Sequence, residues 1–155
     1  MQDRHLLRSI ELAKQGMARG LGGPFGAVVV RGDEVLAEAC NQVTSSQDPT
    51  AHAEVGAIRA ACRLIGDFSL AGCVIYSSCE PCPMCLSAIY WARLDALYFA
   101  ASRVDARDIG FDDDFLYLEL GRGSAERTLS TRQALRDDAV RVMQGWHEMP
   151  AARRY

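Results

Sequence analysis

Residues 77–88 contain the feature that most constrains this chain. The segment reads SSCEPCPMCLSA and places Cys79, Cys82 and Cys85 three residues apart. The preceding run CVIYSS is typical of a buried strand, and PCPMCLSAIYWAR is typical of a helix with proline near its start. Thiols at this spacing lie on one side of a helix, and the positive end of the helix dipole lowers their pKa. The segment therefore predicts a strand that turns into a helix and presents sulfur atoms at the turn.

Composition and charge limit the class of protein. The 155 residues are 49% apolar and 24% charged, which is typical of one globular domain with a substantial core. The N-terminal MQDRHLLRSIEL lacks the apolar core of a signal peptide, and no apolar run reaches about 20 residues, so we expect a cytoplasmic protein. In that reducing compartment, six cysteines indicate metal or redox chemistry rather than disulfides. A net charge of -3 counts against nucleic acid as a partner, and we expect no membrane partner.

Hydrophobic periodicity and turn residues predict an α/β fold. Helices are predicted at 3–20, 51–66, 81–93, 111–120 and 137–149, and strands at 25–30, 34–39, 73–78 and 94–100. The first two strands are separated by RGD and form a predicted hairpin. A hairpin followed by alternating helices and strands predicts a mixed sheet covered by helices.

A third ligand is needed to complete a metal site with Cys82 and Cys85, because two thiolates leave tetrahedral zinc incomplete. His52 in TAHAEV is the best candidate, since the other two histidines lie near the chain ends and are expected in surface or packing positions. Glu54 follows two residues later. At a helix start, a histidine can face a metal while the carboxylate reaches over the helix end. We predict His52, Cys82 and Cys85 as ligands of one Zn²⁺ per chain, with Glu54 carrying a proton from water to a leaving amine.

The remaining cysteines leave alternatives open. Cys79 is either a spare ligand or a small buried residue, and the second interpretation is favoured. Cys40, Cys62 and Cys73 lie in apolar segments and are expected in the core. If Cys79 completed a four-ligand site, the chain would be a zinc-stabilised binding module without catalysis, which leaves Glu54 unexplained. A thioredoxin-like redox protein would account for C-x-x-C but not for the HAE motif.

The combined motif carries a family resemblance. H-x-E followed about 26 residues later by P-C-x-x-C is the signature of zinc nucleobase deaminases. TAHAEV and CEPCPMC resemble the cytidine deaminase superfamily, and GGPFGAVVV, SCEPCPMCLSAIYWAR, GFDDDF and the terminal RRY resemble its short, zinc-dependent bacterial guanine deaminases. The resemblance implies a three-layer α/β/α fold with a central mixed five-stranded sheet and one domain over residues 1–155. It also implies hydrolytic deamination of guanine to xanthine and ammonia.

The resemblance further implies the residues that contact the purine base. These are Phe25, Asn41, the Ala53 backbone, Trp91, Asp113 and Tyr155. A carboxylate such as that of Asp113 suits the adjacent N1–H and C2-amine donors of guanine, although any aspartate in DDD could instead cap the following helix. The resemblance also implies a homodimer that exchanges about residues 120–155, so that Tyr155 acts in the partner's site.

Related substrates remain alternatives at this point. The tRNA adenosine deaminases share the central motifs, but they need a basic surface for RNA, and the acidic balance of this chain argues against one. Guanosine, cytosine, isocytosine and an aminotriazine would also fit a similar pocket. A small purine base is therefore the favoured partner, and one or two side chains decide among the alternatives.

Overall fold

The computed structural model describes residues 2–155, without the side chain of Gln2. Its helices are α1 (Gln2–Ala18), α2 (Val43–Ser46), α3 (Ala53–Ile65), α4 (Pro83–Trp91), α5 (Arg103–Asp108), α6 (Asp113–Gly121) and α7 (Arg136–Glu148). Its strands are β1 (Gly26–Arg31), β2 (Glu34–Cys40), β3 (Val74–Cys79) and β4 (Ala96–Ala101). All of the predicted helices and strands are present, and two short helices, α2 and α5, had not been predicted.

The four strands form one mixed sheet in the order β2-β1-β3-β4. β1 is antiparallel to both β2 and β3, whereas β3 and β4 are parallel. Gly32, with φ of 58°, supplies the left-handed residue in the turn between β1 and β2. The predicted hairpin and mixed sheet are therefore confirmed.

The prediction of five strands is wrong, because residues 2–155 contain four. After β4 the chain turns into α5 through a capping box. The Ser102 hydroxyl accepts a hydrogen bond from the Asp105 amide at 3.3 Å, and the Asp105 carboxylate accepts one from the Ser102 amide at 2.8 Å. This reciprocal pair starts α5 directly after β4, and residues 127–135 contain no strand.

Side chains of β1 alternate between two helical layers. Val28 and Val30 pack with side chains of α1 on one face of the sheet. Ala27 and Val29 point to the other face, where they join a larger core with side chains of α3 and α4. The sheet is thus covered on both faces, which explains why β1 is a continuous apolar run. This arrangement brings the N-terminal ends of α3 and α4 close to each other.

The chain divides into two compact units, one up to Leu116 and one from Tyr117 onward. The first unit contains the sheet with α1–α5. In the second unit, the buried carboxylate of Glu119 accepts hydrogen bonds from the amide and hydroxyl of Thr128 at 2.7 and 2.8 Å, which lower its pKa. Helix α7 contains no buried residue. Within residues 2–155, none of the helices combines the length and apolar composition needed to span a bilayer.

The start of β1 makes the tightest backbone contact with α1. A Cβ atom added to Gly26 would overlap the Ser9 carbonyl oxygen and lie 2.7 Å from the Ala13 amide nitrogen. We expect Gly26→Ala to lower the free energy of unfolding by about 1–3 kcal/mol, because α1 must move away from the sheet. Urea unfolding followed by circular dichroism measures the change.

The matched control is Gly145→Ala in α7, where no atom lies within 4 Å of the added Cβ. The same substitution there should raise stability by about 0.5–1 kcal/mol, since alanine favours a helix over glycine. Equal effects of the two variants would contradict the close approach of β1 and α1.

Candidate active site

Three potential metal ligands meet where α3 and α4 begin. His52 is the N-cap of α3, Cys82 is the N-cap of α4, and Cys85 lies in the first turn of α4. The Cys82 and Cys85 sulfurs are 3.6 and 3.4 Å from His52 Nδ1, and the three ligand atoms all lie within 4.8 Å of one another. One imidazole and two thiols form a donor set that suits Zn²⁺, with His52 and Cys82 on a cavity wall and Cys85 fully buried beside them. The predicted ligands are therefore brought together by the fold.

The protonation of these groups is coupled. A hydrogen bond with Cys85 lowers the pKa of the Cys82 thiol to about 4, whereas the same interaction and burial raise the pKa of the Cys85 thiol. A hydrogen bond with Cys82 raises the pKa of the His52 imidazole. A divalent cation held by both sulfurs must displace any proton that the two thiols retain, because sulfur binds such a cation as the thiolate.

Glu54 supplies a buried carboxyl group beside the cluster. It lies in the first turn of α3, two residues after His52, and lines the same cavity. Its Oε1 atom accepts a hydrogen bond from the Ser77 hydroxyl at 2.9 Å. Burial raises the pKa of Glu54, which favours its protonated form. A carboxyl group in this setting is suited to taking up and releasing a proton.

A cavity of about 450 Å³ adjoins the cluster. Its walls are formed by Gly20, Gly22, Gly23, Phe25, Asn41, Val43, Thr44, His52, Glu54, Cys79, Glu80, Cys82, Phe111 and Asp113. Six of the residues predicted for the site are among them, and Cys85 is fully buried behind the wall. The cavity is apolar on its aromatic side and carries carboxyl and amide groups elsewhere, as small-molecule sites commonly do.

The three aspartates of the DDD run have different environments. Asp112 Oδ1 accepts a hydrogen bond from the Phe115 amide at 3.2 Å and so caps α6. Asp114 forms ion pairs with Arg103 and Arg107 at 3.2 and 3.1 Å. Asp113 lines the cavity, where burial raises its pKa. Only one of the three carboxyl groups therefore faces the space available to a ligand.

Asn41 serves the local backbone and also lines the cavity. Its Oδ1 atom accepts hydrogen bonds from the amides of Gly23 and Val43, both at 3.1 Å. These contacts hold the loops on either side of the cavity, which is the turn role open to an asparagine. With Oδ1 engaged twice, Nδ2 is the group of this side chain that suits an acceptor on a ligand.

Three predicted contacts are not among the cavity walls. Ala53 is the first residue of α3, and its side chain is buried in the core. Trp91 ends α4 and is 59% exposed, with the Arg93 guanidinium 5.8 Å from its ring centre. Tyr155 belongs to the second unit and is 72% exposed. The roles of these three residues stay predictions.

Two residues on the cavity wall, Phe111 and Cys79, had not been assigned to the site. Phe111 meets Phe25 edge to face with ring centroids 4.8 Å apart, and its place in the GFDDDF motif was the available signal. Cys79 is buried as favoured, but it also lines the cavity. Its thiol donates to the Ser102 carbonyl at 3.5 Å, and burial raises its pKa to about 11. Cys79 is thus a neutral wall residue outside the three-ligand cluster.

The other cysteines and histidines lie away from the cluster. Cys73 is buried, and Cys40 and Cys62 are half-buried. His5 is buried with its ring 5.0 Å from that of Tyr76, so it is a packing residue. His147, the other histidine predicted in a surface or packing position, is exposed.

Comparison with known proteins identifies relatives along the whole chain. Residues 1–101 match the family model for the cytidine and deoxycytidylate deaminase zinc-binding region. Guanine deaminase of Bacillus subtilis is 47% identical over 150 residues, which cover 97% of this chain and 96% of that protein. The crystal structure of guanine deaminase from Bacillus subtilis superposes with a TM-score of 0.95 at 46% identity, over 99% of this chain and 98% of the other.

More distant relatives match part of the chain. A tRNA-specific adenosine deaminase of Aquifex aeolicus is 42% identical over 78 residues, which are 50% of this chain and 52% of that protein. A guanine deaminase structure from Nitrosomonas europaea has a TM-score of 0.67 at 32% identity, over 70% of this chain and 63% of the other. The matches to the family model and to a guanine deaminase over nearly its full length establish that this chain belongs to the cytidine and deoxycytidylate deaminase family and, within it, to the guanine deaminases.

Proposed function

We propose that this protein hydrolyses guanine to xanthine and ammonia in the cavity beside His52. The relative that it matches over nearly the full length of both chains is a guanine deaminase. The observation that carries the proposal is the buried carboxyl of Glu54 in one cavity with the His52–Cys82–Cys85 cluster and Asp113. This combination offers an acid–base group, a metal-binding cluster and an acceptor for the donor edge of guanine.

The cluster suits zinc as its metal. His52, Cys82 and Cys85 would hold the ion through one nitrogen and two sulfur atoms, and the family model that the chain matches is a zinc-binding region. When bound, zinc supplies a Lewis acid that lowers the pKa of water. Three protein ligands at a cavity favour a catalytic site over a closed structural one, because structural zinc sites have four. The Cys79 thiol, the alternative fourth ligand, donates a hydrogen bond to the Ser102 carbonyl, which supports a site with three protein ligands.

Glu54 is the proposed proton carrier. A hydrolytic deamination needs one group that removes a proton from the attacking water and then protonates the ring nitrogen and the departing amine. The carboxyl of Glu54 lies on the cavity wall next to His52, and burial raises its pKa, so it can hold the proton between these steps. Guanine and water are thereby converted to xanthine and ammonia with no net change in the protein.

The proposed base contacts follow from the chemistry of the cavity walls. Asp113 would accept hydrogen bonds from N1–H and the C2 amine, and charged acceptors form the stronger bonds. Asn41 Nδ2 would donate to an acceptor on the opposite part of the ring system. Phe25 and Phe111 supply an aromatic side for the planar base. The amide of Ala53 is also suited to binding, since the first N–H groups of a helix lack intrahelical acceptors.

We also propose that the C-terminal segment from about residue 120 is exchanged between two subunits. Helix α7 has no buried residue, and Val142 and Met143 on it are exposed. Burial of these side chains against a second copy would remove apolar surface from water. Tyr155 would then close the partner's cavity, and Trp91 is proposed to line the ring pocket. A C2 dimer is the commonest assembly that supplies such a reciprocal exchange.

The reaction is tested by ammonia release from zinc-loaded protein with guanine, guanosine, adenine, cytosine and an aminotriazine in parallel. We expect release from guanine, and we expect Glu54→Gln to lower kcat by about 10²–10⁴-fold because the proton carrier is lost. Zinc content should stay at one ion per chain. Glu11→Gln, an exposed change on α1, is the matched control and should leave the rate unchanged.

Two outcomes would contradict this account. Ammonia release from another base and none from guanine would support hydrolytic deamination but refute guanine as the substrate. An absence of release from every base by fully zinc-loaded protein would overturn the proposed function.

Removal of the metal should abolish activity in proportion to the zinc lost. Dialysis against a chelator followed by zinc analysis and the ammonia assay measures both quantities, and one zinc per chain should restore the rate. Cys85→Ser should bind zinc more weakly because a thiolate ligand is lost. Cys62→Ser is the control, since Cys62 lies outside the cluster and its thiol contacts the Phe68 carbonyl. Full activity in zinc-free protein would refute the role of the cluster.

Subunit exchange is tested by complementation. A mixed dimer of one Glu54→Gln chain and one Tyr155→Ala chain, isolated with two affinity tags, should recover about half of the wild-type rate because one of its two sites is intact. Each homodimer should be nearly inactive. A mixed dimer of Glu54→Gln and His52→Ala, both in the first unit, should recover nothing. Failure of the first pair to recover activity would show that Tyr155 acts in its own chain's site.

A further inference from the structure

We infer that Ser77 is a positioning residue for Glu54. Ser77 lies in the middle of β3 and is fully buried. It is paired in register with Ala27 of β1 and Phe99 of β4. A strand in the centre of a sheet covered by helices ordinarily carries apolar side chains, so a serine at this position requires a polar partner.

That partner is the carboxyl group of Glu54. Side chains two residues apart share one face of a strand, so Ser77 points to the same side as Ile75, which packs in the core with α3. The Ser77 hydroxyl donates to Glu54 Oε1 at 2.9 Å, and both residues are buried. The two residues are 23 positions apart in the sequence, so the pair is created by packing α3 on the sheet.

Ser77 does not form part of the cavity wall. Any effect on the reaction must therefore pass through Glu54 rather than through contact with the base. An O–H donor held at Oε1 restricts the rotation of the carboxyl plane, together with the hydrogen bonds that Glu54 makes with its own backbone and with Cys85. A group that must receive and return a proton depends on this alignment, since small displacements of a catalytic group cost large factors in rate.

Ser78 provides a matched control on the same strand. It is also buried, but its hydroxyl accepts a hydrogen bond from the Gly26 amide at 2.9 Å and so contacts the start of β1. Ser78 is not a cavity residue. Both serines lose one buried hydrogen bond when changed to alanine, and only one of those bonds involves Glu54.

The inference rests on the proposed function and is tested by steady-state kinetics on zinc-loaded protein with guanine. We expect Ser77→Ala to lower kcat by about 10–100-fold, as losses of supporting hydrogen bonds commonly do, with KM changed by less than about twofold. Ser77→Thr keeps the hydroxyl and should retain a kcat within about threefold of wild type. Ser78→Ala should lower the melting temperature and leave kcat unchanged.

Crystal structures of wild type and Ser77→Ala supply a second readout that needs no activity. We expect Glu54 in one rotamer in the wild type and in more than one in Ser77→Ala. An unchanged kcat together with an unchanged Glu54 rotamer in Ser77→Ala would overturn the inference, as would a folded Ser77→Thr variant as slow as Ser77→Ala. If wild type releases no ammonia from guanine, the proposed function fails, and the Glu54 rotamer still decides the role of Ser77.

Discussion

The convergence of two helix N-termini is the constraint on which the rest of the site depends. α3 and α4 pack on the same face of the sheet, and each begins with a ligand at its N-cap position, His52 and Cys82. The dipole of α4 directs positive potential toward the Cys82 sulfur at its N-cap, which favours the thiolate form that a metal needs. The sheet supplies the rigid support, because β3 leads directly into the loop before Cys82. A group of three potential metal ligands, a carboxyl group and a cavity are consequently held at one end of a single core.

A buried acid group, Glu54, and a half-buried one, Asp113, give this site its chemical character. Glu54 and Asp113 both have pKa values raised by burial, and both face the same cavity as Cys82. Burying a carboxyl group without a hydrogen-bond partner would destabilise the fold. The Ser77 hydroxyl supplies one such partner to Glu54. The carboxylate of Asp114 is instead stabilised by ion pairs with two arginines at the protein surface. The same residue type thus serves as a cap, an ion-pair partner and a cavity group within three consecutive positions.

The two units of the chain differ in how they are stabilised. The first unit has a continuous apolar core on both faces of its sheet. The second unit relies on the hydrogen bonds of Glu119 and exposes apolar side chains along α7. A helix without buried residues gains little from its own unit, because most helical stability in proteins comes from packing an apolar face. This contrast is the physical basis for proposing that a second subunit covers α7.

Local sequence patterns determined most of the secondary structure and the candidate metal-ligand set of this protein. Periodicity, capping residues and glycine stops act over a few neighbours, so the five longer helices, the four strands and the candidate groups His52, Glu54, Cys82 and Cys85 could be predicted without coordinates. Tertiary structure decided which aspartate faces the cavity, that Phe111 meets Phe25, that Ser77 holds Glu54, and that Trp91 lies outside the cavity walls. The number of strands also belonged to this second group, since the expectation of five came from a family resemblance and residues 2–155 form four. These features depend on contacts between residues distant in sequence. Such contacts are set by how the helices pack on the sheet, and they produce no periodic pattern in the sequence.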